Sequence, residues 1–128
     1  MLDRDKLNSY IAEAYSTAPE FPWINAPGYA VYRHAGNKKW FAVIMDINKT
    51  KLGLPQSETV DVVNLKCDPI LTGSLHKEAG IFPGYHMNKS YWITVLLDGS
   101  VDDDKIKWLL DLSYDLTDTK KRKKEQKD

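Results

Sequence analysis

Leu7, Tyr10, Ile11 and Ala14 recur at helical spacing near the start of the chain, and Tyr15 widens their stripe. This predicts a first helix over residues 3–17 with Asp3 as its N-cap. The pattern stops before Pro19, and EFPWINAPG (20–28) reads as an irregular linker, with Trp23 expected as a lid over the core edge. YAVYRH, AGNK and KWFAVIMD (29–46) then predict a β-hairpin, with Gly36 and Asn37 supplying the positive φ of its turn. In its second strand Phe41, Val43 and Met45 oppose Trp40, Ala42 and Ile44. Both faces are apolar, as in a strand covered on both sides.

NKTKLGLPQSE (48–58) reads as a surface loop, and TVDVVNLK (59–66) as a strand rich in β-branched residues. Asp68 and Pro69 fit the N-cap and first turn of a second helix. Leu71, Leu75 and Ala79 give that helix an apolar stripe, Gly73 weakens it by roughly 1 kcal/mol relative to Ala, and Gly80 ends it. GIFPGYHMNKS (80–90) cannot continue a regular helix; it leaves room for a short strand within 81–87 and leads into the strand YWITVLL. A last helix is expected from near Ser100, with Asp103 in a capping box and Ile106, Leu109, Leu110, Ser113, Leu116 and Thr117 facing the core. Trp108 and Leu112 broaden that face. The order α-β-β-β-α-β-α predicts a compact two-layer α+β domain with a mostly antiparallel sheet.

A chain of 128 residues suits one core. Residues 1–119 are expected to form a single domain and 120–128 a charged, disordered tail. Formal net charge is zero, yet the tail KKRKKEQKD carries +4 and the rest of the chain −4. The body therefore lacks the overall basicity that advertises nucleic-acid binding. Cys67 is the one cysteine, which rules out an internal disulfide and the usual thiolate clusters. No apolar run approaches the ~18 residues of a membrane span. A cytoplasmic monomer away from the membrane is expected.

Cys67, His76 and His86 are too widely spaced for a compact ligand pair, and no phosphate loop, dinucleotide fingerprint or nucleophile elbow is present. No metal and no cofactor is expected. Cys67 precedes a helix N-terminus, where a thiolate gains stability, although a small buried thiol is the plainer reading. The richest constellation is Lys66, Tyr85, His86, Asn88, Lys89 and Trp92. Unpaired amides at the second helix's start would receive an anion beside Lys66, while the aromatic residues offer a flat surface. Arg33, Lys38 and Lys39 add positive charge. Three functions compete: a non-enzymatic binding protein, a protein-interaction or regulatory module using Trp23, Trp40 or Trp108, and a small-molecule enzyme using Cys67 or His86.

VNLKCDP (63–69), PGYHMNKSYW (83–92) and LDGS (97–100) resemble motifs of the MmcQ/YjbR-like family, and PEFPW (19–23) and KWFAVI (39–44) fit it too. The resemblance spans residues 3–117. It implies a small α+β fold of the frataxin-like, CyaY-like kind, comparable to a double-wing nucleic-acid-binding shape, and hence DNA as a partner held on Lys66 and the 84–92 loop. It implies no reaction and no cofactor. The family's characteristic positions match Lys66, Cys67, Asp68, Pro69, Gly84, Met87, Asn88, Lys89 and Trp92. Ile24 and Asn25 stand where many relatives have Gly, and Tyr91 where many have His. A tyrosine cannot replace a histidine in proton transfer near neutral pH.

Overall fold

Five strands form the centre of the fold in a computed structural model that describes residues 1–118; the tail expected at 120–128 lies outside the described residues. Strands β1 (Ala30–Arg33), β2 (Trp40–Asn48), β3 (Thr59–Lys66), β4 (Ile81–Pro83) and β5 (Trp92–Leu96) lie in the order β1-β2-β3-β5-β4. Every neighbouring pair is antiparallel. Helices α1 (Arg4–Tyr15), α2 (Pro69–Leu75) and α3 (Asp103–Thr117) complete the α+β class expected from the sequence, and β4 is the short strand foreseen within 81–87.

The sheet is apolar on both faces, and the two faces are covered differently. Leu7 and Ile11 of α1 and Ile106, Leu109 and Leu110 of α3 pack on Tyr32, Ile44, Val63, Leu65, Ile93 and Val95. On the other face Val31, Val43, Met45, Ile47, Val60, Val62 and Leu96 form a second cluster. It is closed by Tyr29, Leu52, Leu54, Phe82, Tyr85 and Met87, which come from loops, a 3-10 turn and the sheet edge rather than from α-helices. This is why β2 reads as apolar at nearly every position.

The imperfect alternation of β2 has a local cause. Tyr32 pairs with Ala42 but Arg33 pairs with Trp40, so Phe41 is the extra residue of a β-bulge. Beyond the bulge the parity inverts: Phe41 joins the helix-side core, and Trp40 turns to the loop-covered face beside Val43 and Met45. The bulge interrupts the ladder at the start of β2, and α3 repairs it. The Ser113 hydroxyl donates to the Phe41 carbonyl at 2.6 Å and accepts from the Lys66 amide at 2.8 Å.

Several local expectations are corrected. The left-handed residue of the hairpin turn is Lys38 (φ 64), in place of Gly36 or Asn37; Asn37 instead donates to the Thr117 carbonyl at the end of α3. The loop 48–58 contains a 3-10 turn over Lys49–Leu52, capped by Asn48. Helix α2 stops at Leu75 rather than running to Gly80, and Ala79 is exposed, so the proposed stripe breaks after Leu75. Helix α3 begins at Asp103 after Asp102, without a side-chain cap. The Asp103 carboxylate is drawn away to the Leu2 amide at 2.7 Å, which removes the capping box expected there. Trp108 remains exposed on α3.

Candidate functional site

The residues most useful for binding gather on the loop-covered face, around the end of the sheet where Lys66 and Trp92 pair across β3 and β5. Strand parity sets this. Val63, Leu65, Ile93 and Val95 enter the helix-side core, so Asn64, Lys66, Trp92 and Thr94 project the other way. Asn64 and Thr94 are buried polar residues that pin the glycine-proline turn to the sheet. The Tyr85 amide donates to Thr94 Oγ1 at 2.9 Å, and the Tyr85 carbonyl accepts from Asn64 Nδ2 at 2.9 Å. Thr94 Oγ1 then donates to Asn64 Oδ1 at 2.5 Å, closing the triangle. Gly84 is required by proximity: a Cβ there would meet the Trp92 backbone oxygen at 3.0 Å and its Cβ at 2.7 Å. His86 follows in a left-handed conformation (φ 58).

Pinned in this way, Tyr85, His86 and Met87 form one side of a groove of about 430 Å³. Val43, Met45 and Asn64 contribute sheet residues to its lining, and Trp23, Tyr29 and Trp40 aromatic rings. Trp23 stands nearly perpendicular to both neighbours, at 89° to Trp40 and 81° to Tyr29. The linker tryptophan thus closes an aromatic corner on the loop-covered face, and it stays 37% exposed there.

A second depression of about 330 Å³ adjoins the groove and shares Trp40 and Met87 with it. Lys39, Lys66, Trp92, Leu116 and Thr117 complete its lining. Lys66 Nζ lies 5.3 Å from the Tyr91 ring centroid and 5.4 Å from that of Trp92, and Arg33 lies 5.4 Å from Trp40. These are cation–π distances. Arg33 is also paired with Glu20 at 3.0 Å. A larger depression of about 770 Å³ is lined by Met1, Asp102, Asp103, Asp104, Lys105 and Trp108, whose acidic character suits no anionic ligand.

The expected constellation is therefore brought together only in part. Tyr85 and His86 line the groove, Lys66, Lys39 and Trp92 the basic depression, and Arg33 stacks beside both. Asn88 and Lys89 serve the turn: Asn88 Oδ1 accepts from the Ser90 amide, and Lys89 Nζ donates to the Gly84 carbonyl at 2.9 Å. Lys38 sits exposed in the hairpin turn and lines neither depression. The anion seat at the start of α2 is not formed. Pro69 has no N–H, Ile70 donates to the Asp68 carboxylate, and Leu71 and Thr72 donate to the Asp68 carbonyl. Helix α2 also belongs to the helix side, away from the face on which Lys66 projects.

Cys67 is buried in the helix-side core, and burial raises its thiol pKa, the opposite of thiolate activation. His86 lies on the loop-covered face, so Cys67 and His86 do not form a pair. Among the described residues no group of three or more His, Cys, Asp or Glu side chains is placed to hold a metal ion. No helix among them is long and apolar enough to cross a membrane. Sequence reasoning missed Asn64 and Thr94 as site supports, and Tyr29 as a groove wall. A polar residue at an inward position of a β-branched strand was the available signal for the first two.

The chain matches the YjbR family over residues 12–116. It is 39% identical to Bacillus subtilis YyaQ over 117 residues, covering 91% of this chain and 99% of that protein. It is 41% identical to Escherichia coli YjbR over 58 residues, 44% of this chain and 49% of that protein. Both relatives are described as uncharacterized proteins. The crystal structure of a Pseudomonas syringae protein superimposes with a TM-score of 0.89 at 46% identity, covering 91% of this chain and 99% of the other. A Deinococcus radiodurans protein described by the domain DUF419 gives 0.66 at 28% identity, covering 89% and 77%.

Proposed function

The chain belongs to the YjbR family, and from that membership and the basic–aromatic strip we propose that it is a non-enzymatic, cytoplasmic binding protein that holds nucleic acid. The observation that carries the reading is the stacking of cations on rings along one edge of the loop-covered face: Lys66 on Tyr91 and Trp92, and Arg33 on Trp40, with Lys39 lining the same depression as Lys66. Phosphates position a strand against such cations, and unstacked bases lie on the rings beside them. The Lys66 and 84–92 surface remains the contact region, with Asn88 and Lys89 reassigned to holding the turn.

The body's net charge of −4 makes the local arrangement of its cations decisive. Fluorescence anisotropy of a labelled single-stranded oligothymidylate and of a duplex of equal length, titrated over stepped salt, tests the reading. The logarithm of affinity should fall linearly with the logarithm of salt concentration. The double variant Lys39→Glu/Lys66→Glu, with the tail intact, should weaken binding by about tenfold or more. Absent binding at low salt, salt-independent binding, or an unaffected double variant would refute it.

A further inference from the structure

We propose that the aromatic groove is a slot for a small aromatic acid: its planar ring lies among Trp23, Tyr29, Trp40 and Tyr85, and its carboxylate points out toward Lys39 and Lys66. This goes beyond strand binding and does not depend on it. The shape carries the first part. Trp23 meets Trp40 and Tyr29 at 89° and 81°, so three ring planes form a corner above a floor of Val43 and Met45. A volume of about 430 Å³ fits one compact ligand, since small-molecule sites run from about 300 to 1,000 Å³. Ring walls at right angles offer face and edge contacts together, which a planar ring uses better than a puckered one.

The polar inventory decides which ring. Three polar side chains line the groove: Asn25 and His86 are exposed, whereas Asn64 is buried and its amide nitrogen and oxygen already serve Tyr85 and Thr94. A nucleobase pushed to this depth would leave hydrogen-bonding groups on its edge without partners, a penalty a hydrocarbon ring escapes. Charge decides the substituent. A quaternary ammonium is the other natural guest of tryptophan and tyrosine faces. Here Arg33 beside Trp40 is offset by its pair with Glu20, and the charge comes from Lys39 and Lys66, which line the depression that shares Trp40 and Met87 with the groove. That surrounding repels a cation and attracts a carboxylate.

The chain carries its own reporters. Met45 and Met87 line the groove, whereas Met1 borders the acidic depression. With the methionine methyl groups labelled with carbon-13, 2-naphthoate should shift the Met45 and Met87 signals saturably by ring current and leave Met1 in place. Lys39→Gln/Lys66→Gln should weaken this binding about tenfold, corresponding to 1.4 kcal/mol, and Trp23→Ala, at a partly exposed site, should weaken it comparably. Cyclohexanecarboxylate, tetramethylammonium and adenosine monophosphate should each bind more weakly than 2-naphthoate. No saturable shift with 2-naphthoate overturns the proposal. Equal or tighter binding of the puckered acid, the cation or the nucleotide overturns it as well. Oligonucleotide binding can fail while these shifts persist, or succeed while they are absent, so the two readings are separable.

Discussion

Asn64 holds the functional surface together through a single side chain. Its amide donates to the Tyr85 carbonyl and its oxygen accepts from Thr94, and Thr94 in turn holds the Tyr85 amide. Asn64→Ala leaves a partly buried carbonyl without its donor, which costs roughly 1–3 kcal/mol. A lower urea midpoint together with altered amide signals at residues 84–87 is expected; a lower midpoint with an unmoved turn would contradict this role. Tyr32 makes a different residue-scale prediction. Burial raises its phenol to about 12 from 10.0, against a smaller opposing influence of Arg4, and the hydroxyl donates to Asn8 at 2.6 Å. The folded state keeps this proton after the unfolded chain has released its own, so stability falls as pH rises from about 10 to about 12. The loss from this group is roughly 3 kcal/mol. Tyr15, raised by burial and by its hydrogen bond to Asp111, adds to the same alkaline decline. Urea midpoints measured near neutrality and at about pH 11 should converge more closely for Tyr32→Phe than for the parent.

At the scale of elements, the bulge at Phe41 and the start of the site are one feature. By inverting the parity of β2 it turns Trp40 to the face that Lys66 and Trp92 occupy. Ser113 of α3 then bridges the Phe41 carbonyl and the Lys66 amide. Ser113→Ala removes the donor to the Phe41 carbonyl and the acceptor of the Lys66 amide and should lower stability by roughly 1–3 kcal/mol. Denaturant unfolding measures this, and hydrogen exchange at the Lys66 amide should accelerate with it; unchanged protection would contradict the bridging role. The elements themselves were largely legible. Strand β3 carries a β-branched run, Asp3 and Asp68 cap as expected, and α3 buries Ile106, Leu109, Leu110, Ser113 and Thr117. The bulge was visible only as apolar residues on both sides of β2, because register depends on a partner strand that the local pattern does not specify. Lys89 and Asn88 read as ligand groups for a similar reason. A polar side chain in a loop looks the same in sequence whether it faces solvent or closes its own turn.

For the whole molecule, one sheet separates two environments. The helix side is a closed core that takes in Cys67, Tyr32 and His34. The loop-covered side spreads its apolar residues under shorter segments and leaves a groove and a basic depression between them. The antiparallel α+β architecture followed from element order, but the site did not, since it depends on which face the two ends of β2 and β3 present. The expected anion seat failed for a nearer reason: the Asp68 side chain and carbonyl already take the amides that begin α2. Charge is partitioned too, with Asp102, Asp103 and Asp104 beside Trp108 in a depression separate from the basic strip.

The four tryptophans sample both regions, which makes them direct reporters of the central claim that the partner sits on the loop-covered face. A nitrogen-15 spectrum resolving their indole N–H signals, recorded while a short oligothymidylate is added at low salt, is the measurement. The account predicts progressive shifts of Trp40 and Trp92 that reverse as salt is raised, with Trp108 unmoved. Shifts confined to Trp108, or none at Trp40 and Trp92 at any salt concentration, would contradict it.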